Sequence, residues 1–130
     1  MTIAYLCILI AALLPYIWVG IAKSGGARYD NRDPRGWLAR QDNPRVHRAN
    51  AAQFNAFEAF APFAASVLMA QFAGVDPQRI TWLAIAFVVL RVLHGVAYVA
   101  NNAKLRSLVW FGALVCVVTL MTMATLRIAV

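Results

Sequence analysis

Four apolar blocks, each close to the length of a membrane crossing, divide this sequence almost from end to end. A bilayer core is spanned by roughly 20 apolar residues in a helix, and the blocks lie at about 2–22, 49–73, 79–101 and 107–129. The apolar residues are not spread at an amphipathic period, and at 62% hydrophobic against 13% charged the chain is too apolar for a water-soluble core. The expected fold is an all-α integral membrane protein: one four-helix membrane domain over residues 1–130, with a polar loop at 23–48. The first block has no basic lead-in and no small-residue cleavage site, so it reads as a retained span rather than a signal peptide.

The net charge of +7 is unevenly placed. Lys23, Arg28, Arg32, Arg35, Arg40, Arg45 and Arg48 stand against Asp30, Asp33 and Asp42 in the first connection, and Lys104 and Arg106 mark the third. Basic residues in alternate connections put those connections in the cytoplasm and both termini outside, in a bilayer expected to be a bacterial inner (plasma) membrane. The excess reads as topology and attraction to anionic lipid, with no nucleic acid partner. Trp37 is expected to anchor the first loop at the interface, and Asn43-Pro44 to make a turn. Cys7 and Cys116 fall inside spans and are expected to pack there. No metal-ligand spacing is present, and no metal is expected.

Two polar stripes interrupt the apolar spans. The second block carries Gln53, Asn55 and Glu58, and Asn55 and Glu58 share a face, with Arg48 two turns nearer the cytoplasm on the same side. The third carries Arg91, His94 and Tyr98 at i, i+3 and i+7. An unpaired charge in hydrocarbon costs several kcal/mol. Glu58, the acid inside a span, is therefore the expected partner of Arg91, within one chain or across a subunit boundary. Between the third and fourth blocks, Arg106 and Ser107 are expected at the very start of the last helix, where free N–H groups and the helix dipole favour an anion. One reading of the stripes is purely structural, an ion pair that fixes helix association; the other is an anion site.

Val46-His47-Arg48, then Asn55-x-x-Glu58-x-x-x-Pro62-Phe63, then Arg91-x-x-His94-x-x-x-Tyr98, then Arg106-Ser107, resemble the signature of the MAPEG family, the membrane-associated proteins in eicosanoid and glutathione metabolism. The resemblance covers most of the chain in topology and is most specific from about Asn43 to Ser107. It implies a homotrimer with glutathione held between subunits near the cytoplasmic face. By matching position, Asn55, Glu58, Arg91, His94 and Tyr98, with Arg48 beside them, would bind the peptide, while Arg106 and Ser107 would stabilise its thiolate. The implied activity is a glutathione transferase or peroxidase acting on lipophilic electrophiles that arrive from the bilayer. Ala51 and Phe54 depart from the prostaglandin synthase branch, which has arginines there that help hold glutathione, and the turn before Arg106 is one residue shorter. The alternatives are a different thiol, a small multidrug-type exporter using Glu58, and a non-catalytic relative whose stripes only assemble the trimer.

Overall fold

A computed structural model describes residues 1–129. The described chain is helical, without strands: α1 (Thr2–Ser24), α2 (Pro34–Ala39), α3 (Pro44–Phe72), α4 (Pro77–Val99) and α5 (Ala103–Ile128). Three of these, α1, α4 and α5, are long and apolar enough to cross a membrane. α3 is longer still, at 29 residues, but carries Arg45, Arg48 and the polar stripe through Glu58.

α3 and α4 form the centre of the bundle. α1 packs on both from one side and α5 on both from the other. The seams are built from small residues: Ala4, Cys7 and Ala11 on α1, Ala49, Ala52 and Ala56 on α3, and Ala113 with Cys116 on α5. Small side chains let helix backbones approach closely where lipid supplies no hydrophobic drive for association. Large apolar residues such as Leu6, Leu13, Ile17, Phe111 and Val115 face outward, as a lipid-covered surface requires. Both cysteines are free and buried. At mid-bundle Phe63 and Phe87 stack face to face, 3.9 Å between centroids and 6° between planes, locking α3 to α4.

The two tight connections use one device. After α3, Gly74 takes a left-handed φ of +74°, and the N–H groups of Gly74 and Val75 return to the carbonyls of Gln71 and Ala70. After α4, Asn101 takes φ +61°, and the N–H groups of Asn101 and Asn102 return to Tyr98 and Ala97. Glycine, and less readily asparagine, tolerates that conformation and so ends a helix. Asp76 and Asn102 then cap the next helix, accepting from the N–H of Arg79 and Leu105.

Three boundaries differ from expectation. α3 begins five residues before residue 49, because Asn43 caps it and Pro44 occupies its first turn; hydropathy marks where polar residues give way to apolar ones, whereas a helix starts at its cap. α5 likewise begins at Ala103, so Arg106 stands a full turn inside it, with its N–H bonded to the Asn102 carbonyl. That amide is not free for an anion, and only the Arg106 side chain remains available. The loop at 23–48 holds the short helix α2, capped by Asp33. Its Trp37 is buried rather than interfacial: the indole donates to the Arg28 carbonyl at 3.0 Å and packs edge-on against Tyr29. Asn43 and Gln41 tie the loop to the ends of α1 and α2 through Gly25, Ala27 and Trp37.

On the other side of α4, the Trp18 indole lies where a Cβ on Gly95 would stand. Gly95→Val is therefore expected to destabilise the protein by about 1–3 kcal/mol, the usual cost of overpacking a core. Thermal unfolding in detergent measures it; an unchanged midpoint would show that the α1–α4 seam is loose.

Candidate active site

The stripe on α4 turns inward. Arg91 is 3% exposed and His94 2%. Arg91 lies toward α3, where its Nη2 donates to Asn55 Oδ1 at 2.7 Å, and its Nε has no partner. His94 Nδ1 is likewise buried and unpartnered. One turn on, Tyr98 meets the His94 ring edge-on at 5.7 Å, and the Arg106 guanidinium lies over the Tyr98 ring, 4.5 Å from its centroid. A guanidinium over an aromatic face is held by the ring quadrupole. The succession of side chains is therefore Asn55, Arg91, His94, Tyr98, Arg106, drawn from α3, α4 and α5.

Below Arg91 the groove opens into a cavity of about 220 Å³ between these helices. Asn55, Glu58 and Arg91 form its polar end; Pro62, Phe87, Trp110 and Leu114 are among its apolar walls. Phe87 and Trp110 were not singled out in the sequence. The available signal was spacing, since Phe87 is four residues before Arg91 and Trp110 four after Arg106, but an apolar residue in an apolar stretch marks no site by itself.

Other expected site residues are placed differently. Glu58 borders the cavity but is exposed on the single chain. It makes no ion pair with Arg91: the one ion pair among the described residues is Arg40 with Asp33, at the surface. The shorter neutral Asn55 reaches the guanidinium instead. Ser107 is exposed and its side chain makes no hydrogen bond among the described residues; the residue after Arg106 points about 100° away around the helix. Arg48 lies apart from the cavity, with its Nε donating to the Val99 carbonyl at 3.2 Å, at the C-terminal end of α4. There it satisfies a carbonyl that the helix itself leaves free.

The arrangement offers cationic and N–H donors in line above an apolar chamber. A cavity with polar groups at one end and apolar walls at the other suits a ligand with a polar and an apolar part. The sequence profile of the MAPEG family matches residues 3–126. The chain belongs to the MAPEG family. This is a family of membrane proteins that includes glutathione transferases and related proteins. Comparison of this MAPEG chain with curated proteins returns no match.

Proposed function

We propose that this MAPEG protein is a thiol-dependent transferase or peroxidase acting on lipophilic electrophiles, with glutathione as the thiol. The observation that carries the reading is the buried Arg91, with its Nε unpartnered, beside Asn55 and Glu58 at the polar end of an apolar cavity, with His94, Tyr98 and Arg106 in succession beyond it. The donor set fits a peptide with carboxylates and an acidic thiol: Asn55, Glu58, Arg91, His94 and Tyr98 would hold it, Glu58 accepting from its amine. When bound, glutathione supplies a sulfur nucleophile.

A free thiol with pKa about 8.5 is mostly protonated at neutral pH, and each unit of lowering needs about 1.4 kcal/mol of preferential anion stabilisation. Arg106, kept in place by Tyr98, provides a positioned charge for this, and Ser107 a hydroxyl. The apolar walls exclude water and admit the electrophile from the bilayer. Glu58 and Ser107 are both exposed on the single chain. With α3 as a fourth span, a carboxylate exposed to hydrocarbon would be costly, which supports a homotrimer in which a neighbouring subunit covers both residues. The helix ends bearing Lys23, Arg48 and Lys104 lie at one end of the bundle, which supports a plasma membrane orientation with both termini outside.

Adding glutathione to the purified protein in detergent should raise its unfolding temperature, since at a hundredfold excess over Kd a native-state ligand adds about 2.7 kcal/mol. No shift with glutathione, but one with another thiol, would reassign the thiol. A trimer stabilised by no thiol would fit a non-catalytic relative.

A further inference from the structure

A second groove, on the opposite flank of α4, takes no part in the proposed chemistry. It encloses about 490 Å³ between α1 and α4 at the basic end of the bundle. Trp18 and Ile21 of α1 and Val96 of α4 wall it, and Arg45 and Arg48 of α3 stand at its rim. We propose that this groove binds one anionic phospholipid, with the phosphate between Arg45 and Arg48 and an acyl chain laid along the α1–α4 furrow.

Three observations carry this. First, the rim is cationic and uncompensated: Arg45 makes no side-chain hydrogen bond or ion pair among the described residues, and Arg48 uses only Nε, for Val99, leaving both terminal nitrogens free. Asp42, the nearest acid in sequence, pairs with neither. Both arginines lie in the first turns of a 29-residue helix, whose dipole adds to the positive potential. Second, the walls are apolar and continue past the groove. Ile17, one turn from Ile21, is 55% exposed, and Val92, one turn from Val96, is 38% exposed. A soluble anion would leave this furrow empty, whereas an acyl chain fills it. Third, the level is that of a headgroup, because the ends of α1 and α4 and the starts of α3 and α5 meet here with Lys23 and Lys104. Anionic lipids of a cytoplasmic leaflet are attracted to such clusters.

The test uses the full chain in maltoside micelles, titrated with dioleoyl phosphatidylglycerol, dioleoyl phosphatidylcholine or inorganic phosphate, and read by thermal unfolding and by lipid retained in native mass spectrometry. Phosphatidylglycerol should be retained and should raise the unfolding temperature, with phosphatidylcholine at least tenfold weaker. Arg45→Gln, which leaves the Arg48–Val99 contact in place, should weaken phosphatidylglycerol roughly tenfold, the loss of one charge-assisted contact. Val96→Trp, at a half-exposed position, should fill the furrow and abolish retention without lowering the lipid-free midpoint. Equal retention of both lipids, or retention indifferent to both substitutions, would overturn the proposal. So would an Arg45-dependent shift with inorganic phosphate as large as that with lipid, which would mark a soluble-anion site, or loss of retained lipid as subunits associate, which would show that a second copy covers the groove.

Discussion

Arg106→Ala is expected to lower kcat/KM for glutathione conjugation to an activated aryl chloride roughly 100-fold, while the protein stays folded and its oligomer intact. Removing one preorganised donor from a developing or stabilised anion in a water-poor site costs about that much. The geometry makes Arg106 the right residue to remove. It lies over Tyr98 with no carboxylate partner among the described residues, so its charge is not committed to the fold. Arg106→Lys should recover only part of the rate, because an ammonium keeps the charge but loses the planar fork that stacks on Tyr98. Conjugation rates measured beside size-exclusion profiles check both points. A full rate in Arg106→Ala would remove thiolate stabilisation from this residue.

The second large effect falls on stability. Arg91 is almost fully buried and its one side-chain acceptor is Asn55. Asn55→Leu should therefore destabilise the protein by about 1–3 kcal/mol, the cost of leaving a buried donor without its acceptor. Asn55→Leu combined with Arg91→Met should recover most of that loss, since a charge that is absent needs no partner. Glu58→Gln should cost less than Asn55→Leu, because the carboxylate borders the cavity without pairing with the guanidinium. Thermal unfolding of the three variants in detergent, beside wild type, decides it. Greater damage from Glu58→Gln would return the partnership to Glu58, across a subunit boundary.

These two residues also show what was legible in the sequence. The Arg91, His94, Tyr98 stripe was readable because all three lie on one helix, where spacing alone fixes the shared face. Its partner was not, because that depends on how α3 is rotated against α4. Charge favoured Glu58, but Asn55, three residues away, has the shorter path to Nη2. Arg48 was drawn to the wrong flank for the same reason: seven residues place it near Asn55 in angle, yet its long side chain swings to the end of α4. The four long helices were visible as long, mostly apolar stretches, of which α1, α4 and α5 are long and apolar enough to cross a membrane. The six-residue α2 was not, since Asp33-Pro34 signals a turn and a helix cap alike and only the packing of Trp37 distinguishes them. The cavity walls from Phe87 and Trp110 escaped notice because an apolar residue in an apolar helix carries no mark of which neighbour it meets.

Arg106 is proposed to hold a bound thiol as its anion. The direct measurement is the ultraviolet thiolate band on adding glutathione to the purified protein at a pH where the free thiol is protonated. The band should appear with wild type, in proportion to bound glutathione, and be absent with Arg106→Ala. Bound glutathione without the band, or the same band in both proteins, would contradict the account.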